Sequence, residues 1–360
     1  MDLRKFVIIL SFVIFTGGIV FMACDSDEEP PVIFPATDEI VVTYIAPGDA
    51  PDIDGDLDGI WDAGNLTQLI SVDTSEYNPN NNVELVDIIA LSDSNYVYIA
   101  VSWADDSRNV RYHEWVWDTA SLNDPNEPFP WRQVFAVKED NISFFFDANP
   151  SGNSASLSAM EVGPNCALMC HETDLVMYNE TDVAVDGWYW RAGVTNPIGY
   201  AIDLNFIDSL ETDSRFQGLD AVENRGYIPN FESGDFTPLY IHKIDTTVVG
   251  DDTSYTIVNE ETLFAEDTVD YVPGDFVTAA LAEEVDSVFV PSFVVSSQAS
   301  GSRWDVEAVG TYDEVLNRWT VEFRRPMNTG NDDDIVFQIG EEYGIAVAIG
   351  DNRKNPHTGY

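Results

Sequence analysis

Apolar and polar residues alternate along much of this chain with a period of two. Val83-Glu-Leu-Val-Asp-Ile-Ile-Ala90 and Tyr96-Val-Tyr-Ile-Ala-Val-Ser-Trp103 are two such runs, separated by the turn-forming Ser92-Asp-Ser-Asn95. That period puts every second side chain on one face of an extended strand, so the runs predict an antiparallel pair. The same pattern predicts pairs of 134–137 with 142–146, 304–309 with 319–323, and 335–339 with 343–349. Only 277–285 carries helical spacing. Short strands bounded by Gly, Pro, Asn and Asp predict an all-β chain built as a β-sandwich. An irregular stretch at about 150–200 interrupts the pattern, and the acidic, Thr/Val-rich stretch at about 245–300 reads as an inserted hairpin or a wandering loop.

The first 23 residues stand outside this pattern. Arg4 and Lys5 precede the apolar run 6–22, and Ala23 precedes Cys24, as in an export signal. Phe21-Met-Ala-Cys24 resembles a bacterial lipoprotein signal without its usual Leu, so Cys24 is the expected lipidation site. An ordinary signal peptide or a retained anchor helix are the alternatives. Residues 24–40 read as an acidic, proline-containing tether, and 41–360 as the sandwich domain. The expected location is a lipid anchor at the periplasmic face of a membrane or at the outer cell surface.

Charge narrows the partners. The chain has 64 acidic and 16 basic residues, a net charge of −48. Loss of 1–23 removes Asp2, Arg4 and Lys5 and leaves the balance more acidic still. That excludes nucleic acid, which needs a basic surface, and suits a basic redox partner, divalent cations or a saline habitat.

The chemistry sits in the cysteines, which number three: Cys24, Cys166 and Cys170. Cys166-Ala-Leu-Met-Cys170-His171 is a CxxxCH arrangement, a longer-spaced form of the motif for covalent haem attachment. Two thiols are needed for the two vinyl groups of one porphyrin, and the adjoining imidazole supplies an axial nitrogen. A disulfide would leave His171 unexplained, and a zinc site lacks a second Cys/His cluster. Met177 is the leading sixth ligand and His357 the alternative. Met160, His113, His242, Lys243 and Lys354, or an open site, complete the candidates, while Met169 lies inside the attachment loop.

The stretches around this motif carry a family resemblance. Lys138-Glu-Asp-Asn-Ile-Ser-Phe-Phe-Phe146, Asn165-Cys-Ala-Leu-Met-Cys-His171, Asp186-Gly-Trp-Tyr-Trp-Arg-Ala192 and the strands at 301–306, 319–326 and 343–347 resemble the haem-binding domain of the ethylbenzene dehydrogenase gamma-subunit type, over roughly 45–355. Asp52-Ile-Asp-Gly-Asp-Leu-Asp-Gly-Ile-Trp61 resembles the opening strand of family-9-like carbohydrate-binding sandwiches. The resemblance implies a sandwich holding haem near one end, electron transfer, and service beside a molybdenum enzyme's catalytic subunit. That branch holds haem b between a methionine and a lysine, so here His171 would replace one ligand. Met177 stands where the family methionine is expected, and Lys354 and His357 lie near the expected lysine. Arg191 stands where the family often has Lys, and Tyr189 where it often has His.

Other constellations are weaker. Asp52, Asp54, Asp56 and Asp58 fail the EF-hand pattern, because its twelfth position is Ala63, so a looser Ca²⁺ site is set against a solvated turn. Asp332-Asp-Asp334 reads as a loop. Trp103, Trp115, Trp117, Trp131, Trp188 and Trp190 read as core or haem pocket before a sugar cleft. No nucleophile elbow, phosphate loop or HExxH occurs. The expectation is a non-enzymatic, single-haem c-type electron-transfer protein. A carbohydrate-binding surface module and a haem sensor with an open sixth site are the alternatives.

Overall fold

In the computed structural model the described residues are 39–70, 85–117, 131–134, 139–147, 185–206, 218–219, 222–231, 237–249, 252–257, 261–271, 289–296, 298–332, 334–350 and 357–359. Among them are strands, turns and short 3₁₀ turns, and no helix long and apolar enough to cross a membrane.

Among the described residues twelve strands form one sheet. In chain order they are β1 (Val42–Tyr44), β2 (Thr67–Ile70), β3 (Leu85–Ser92), β4 (Tyr96–Ala104), β5 (Asn141–Asp147), β6 (Val185–Arg191), β7 (Tyr200–Phe206), β8 (Gly218–Leu219), β9 (Val306–Asp313), β10 (Arg318–Pro326), β11 (Ile345–Gly350) and β12 (His357–Gly359). Neighbours run β1-β3-β4-β10-β9-β7-β6-β5-β11-β12, with β2 on β3 and β8 on β7. The join of β9 to β7 is only two residue pairs long, Val306 with Ala201 and Glu307 with Tyr200. There the sheet folds over, and its two halves enclose a common core.

The period of two decides what fills that core. On β10 the inward series is Trp319, Val321 and Phe323; on β6 it is Trp190 and Trp188; on β5 it is Ile142, Phe144 and Phe146. These series meet across the fold. Trp103 and Trp319 each pack against Trp190, at 6.4 and 5.3 Å between ring centroids, and Phe144 packs edge-on against Phe323 at 5.2 Å. The sandwich architecture expected from the sequence is therefore the one observed. A second cluster, with Trp115, Trp117, Trp131, Leu263 and Val290, packs among short strands outside the large sheet.

The outer face of β4 and β10 is covered by residues 45–61, where Ile45 and Trp61 pack on Tyr98 and Ala100. One buried carboxylate fastens this cover. Glu322 accepts hydrogen bonds from the N–H groups of Gly55 (2.6 Å) and Asp54 (3.1 Å) and from Trp61 Nε1 (2.6 Å). Gly55 has φ +86°, and a Cβ there would stand 2.7 Å from Thr311 Cγ2, so this turn requires glycine.

Two expected pairs are observed, β3 with β4 and β9 with β10. Two are corrected. β5 pairs with β6 and β11, whereas Val134 N–H donates to Glu114 in the smaller sheet. Residues 335–338 are not a strand, because Ile335 N–H is taken by the Asp186 carboxylate and Phe337 N–H by Met327. Part of the stretch read as irregular is regular strand: β6 begins at Val185, and the Trp188-Tyr-Trp190 segment is a central strand. The 245–300 stretch contains the hairpin Ile244–Val249 with Asp252–Ile257. The helical spacing at 277–285 lies outside the described residues.

Replacing Glu322 by Ala leaves three N–H groups without their acceptor. The expected loss is about 2–4 kcal/mol, read from the urea midpoint. A loss below about 0.5 kcal/mol would show that packing alone holds the 45–61 cover.

Candidate functional site

The inward series do not stay apolar to their ends. On β10 the next inward position after Phe323 is Arg325; on β6, read backwards from Trp188, it is Asp186; on β7, after Ala201, it is Asp203. All three side chains are fully buried. They converge at one end of the sandwich, and Asp334 joins them from the loop after β10. Arg325 Nη2 lies 2.9 Å from Asp186 Oδ2 and 3.1 Å from Asp334 Oδ2, and Nε lies 3.5 Å from Asp203 Oδ2. Arg325 Nη1 donates to the Ile335 carbonyl at 2.9 Å. Ile335 N–H donates to the same Asp186 oxygen at 2.9 Å. Trp188 and Phe337 flank the guanidinium, 5.4 and 5.9 Å from their ring centroids.

The electrostatics follow from burial. Burial alone favours a neutral side chain at position 325, but Asp186, Asp203 and Asp334 outweigh it and hold Arg325 above its usual range. Burial pushes the Asp186 carboxyl up to about 6, against the opposing pull of Arg325. Burial and the nearby Asp334 also raise Asp305. Among the described residues Asp186, Asp203 and Asp334 are the carboxylates that converge closely enough to hold an ion, with oxygens within 4.8 Å of one another.

The same end of the sheet carries the termini of the cysteine-containing stretch. Asp147 closes β5 and Val185 opens β6, and these two residues pair directly. Residues 148–184 therefore leave and re-enter the sheet side by side, one residue from Asp186. Cys166, Cys170, His171, Met177, Met160 and Met169 belong to that stretch and lie outside the described residues, as do Cys24 and Lys354.

The other end of the same strands is built differently. Asn141 pairs with both Arg191 and Gly350, and Gly350 pairs with His357. His357 is thus in register with the Arg191 end, six residues along β5 from Asp147, or about 20 Å at strand rise. Arg191 is ion-paired with buried Glu139 and lies 4.4 Å above the Tyr112 ring. Glu139 also accepts the Gly193 N–H at 2.6 Å. Burial raises the Glu139 carboxyl against Arg191 and that N–H. This pairing fastens the turn after β6.

The remaining candidates fall elsewhere. His242 is buried in the short strand Tyr240–His242, Lys243 pairs with Asp267 at 3.6 Å, and His113 stacks on Tyr112 at 3.8 Å. Asp54 and Asp58 cap local N–H groups of Asp56, Asp52 and Ile60 and are not drawn into a ligand set with Asp52 and Asp56. The six tryptophans are core residues of the two clusters. Asp334, read as loop, proves to be a buried partner of Arg325. Asp186, Asp203 and Arg325 drew no notice in the sequence, although each is a charged residue continuing an inward apolar series.

An all-β sandwich with a polar cluster and a long excursion at one end is the class that fold and site define. Residues 58–360 match the family model for ethylbenzene dehydrogenase, and the chain belongs to that family. No curated protein matches it. Similar solved structures include two of a family-9 carbohydrate-binding module from Caldicellulosiruptor kristjanssonii, in complex with glucose and with cellotriose. Each is 9% identical and covers 89% of this chain; they are covered over 85% and 82%, with TM-scores of 0.33 and 0.32. Likeness at that level carries no argument about a ligand.

Arg325→Met removes the one cation from among three carboxylates. The expected cost at neutral pH is about 3–5 kcal/mol, because uncompensated buried charge remains. The cost should shrink towards about pH 4, where Asp186 is protonated. Chemical denaturation at both pH values checks this, and an equal cost at both contradicts it.

Proposed function

We propose that this chain is an exported, single-haem c-type electron-transfer protein anchored through a lipid on Cys24. The observation that carries the reading is Cys166-Ala-Leu-Met-Cys170-His171 in a member of the ethylbenzene dehydrogenase family. The donor set fits: two thiols would hold the porphyrin through thioethers, and the next residue would supply the axial imidazole. When bound, the haem supplies a one-electron Fe(III)/Fe(II) couple. The protein's part is to hold and orient it, exclude water and present a docking surface.

The described fold supports this division of labour. The paired ends of β5 and β6 fix both termini of 148–184 on a rigid sheet. Met177 belongs to that same stretch, whereas the backbone of His357 lies at the opposite end of the strands. Nearness to His171 in the sequence favours Met177 over His357 as the sixth ligand. The strongly acidic chain suits a basic face on its redox partner, which we take to be the catalytic subunit of a molybdenum enzyme. A cation-rich encounter of this kind weakens with salt.

Mass spectrometry of the exported chain should show one added haem, with a matching pyridine haemochrome. Cys166→Ala with Cys170→Ala should lose the covalent attachment. A full-length mature mass without haem sinks the reading. Met177→Ala should abolish the low-spin spectrum and His357→Ala should leave it intact; the reverse would assign the ligand to His357. Cys24→Ser should move the protein from the membrane to the soluble fraction.

A further inference from the structure

We propose that Asp186 and Asp203 share one proton inside the sandwich, and that this proton latches the loop carrying Asp334 and Ile335 to the end of the sheet. Asp186 uses its two oxygens unequally. Oδ2 receives the Arg325 guanidinium and the Ile335 N–H. Oδ1 is fully buried, and no N–H or O–H of the described residues donates to it. Asp203, another buried carboxylate, places an oxygen within 4.8 Å of an Asp186 oxygen. Ionised carboxylates only accept hydrogen bonds and repel one another, so a hydrogen bond between the two requires a proton on one of them.

The charge count leads to the same place. One guanidinium faces Asp186 from β6, Asp203 from β7 and Asp334 from the loop, and Asp305 acts on it from just before β9. With all carboxylates ionised the dry cluster would hold a large uncompensated negative charge. A metal ion fits less well, since Arg325 already occupies the Asp186 and Asp334 oxygens from within the cluster and would repel a second cation. A proton adds no bulk and leaves those contacts in place. The Asp186 oxygen is what holds the Ile335 N–H, so the protonation state of the pair bears directly on the loop.

The sign of the pH dependence is fixed. Asp186 titrates near 3.8 when unperturbed and near 6 in the fold. Between those values the folded chain holds the proton and the unfolded chain does not, so stability falls as pH rises through this window. Below it Asp186 holds its proton in both states; above it the penalty is fully present.

Asp203→Asn tests this, because its amide is a permanent donor to Asp186 that needs no proton. Relative to the unmodified full-length chain, the variant should melt higher by roughly 3 °C at about pH 7.5, and the gap should close by about pH 4. A gap that is constant with pH, or a variant that melts lower at the higher pH, overturns the shared proton. Millimolar calcium should leave the melting temperature of the unmodified chain unchanged. A rise with calcium that Asp203→Asn abolishes would show that a cation, not a proton, fills the gap. Should the variant fail to fold, carboxyl carbon-13 NMR of the unmodified chain labelled at aspartate decides. An Asp186 resonance titrating near 6 is expected, and none titrating above about 5 overturns the proposal.

Discussion

The guanidinium of Arg325 is a full positive charge held where water does not reach, and one end of the sandwich closes around it. Its inward position is forced by the strand: Trp319, Val321 and Phe323 fill the core, and a period of two carries the next such side chain inside as well. Desolvating it costs several kcal/mol, which only close carboxylates can offset. They come from both facing strands and from the loop, so Arg325 ties β10 to β6, β7 and the 327–337 segment at once. Apolar packing could close this end with comparable stability. What the ionic arrangement adds is register, because a one-residue slip of β6 or β10 would carry Asp186 or Arg325 to the opposite face and leave its partners buried and unpaired.

The two ends of the strands thus have different roles. At one end, Glu139, Arg191 and Gly193 fasten a turn, and Asp140 accepts the Trp319 indole N–H at 2.9 Å. At the other, β5 and β6 release and recapture residues 148–184 beside the Arg325 cluster. A long excursion costs little extra entropy for each added residue, so such an insertion is tolerated if its ends are held. Direct pairing of Asp147 with Val185 holds them, and the buried ion cluster rigidifies the strand on which the chain re-enters.

What the sequence made legible divides along the same physical line. The β3–β4 and β9–β10 hairpins were readable because the alternation and the turn that sets its register are contiguous. Pairing of β5 was not, since its partners β6 and β11 lie far along the chain and nothing local distinguishes them from 134–137. Ile335 to Ile339 looks like a strand by composition, but Asp186 captures the Ile335 N–H, a contact made only after β6 and β10 face each other. The cysteine motif is a reading of six consecutive residues alone, and those residues lie outside the described structure. The Arg325 cluster left a fainter signal: a charged residue continuing an inward series on three separate strands. Each charge alone is unremarkable in so acidic a chain, and only the fold brings them together.

The distribution of the bases bears on how such a protein meets a partner. The chain has 16 Lys and Arg against 64 acids. Among the described residues Arg108, Arg111, Arg191, Arg318, Arg324, Arg325 and Lys243 are engaged with carboxylates of the same chain. Two of these pairs are buried and fasten the sandwich ends. The others pair with nearby acids of the same chain, as Arg318 does with Asp87 and Arg324 with Glu307. Among the described residues cationic charge is therefore largely used within the fold, and the acid excess of the chain leaves a predominantly negative field outside it. Such a field accelerates encounter with a basic face and disfavours self-association and contact with anionic lipid. For the lipid-tethered chain we propose, that combination would keep the sandwich off an anionic membrane surface and leave its approach to a basic partner governed by electrostatics.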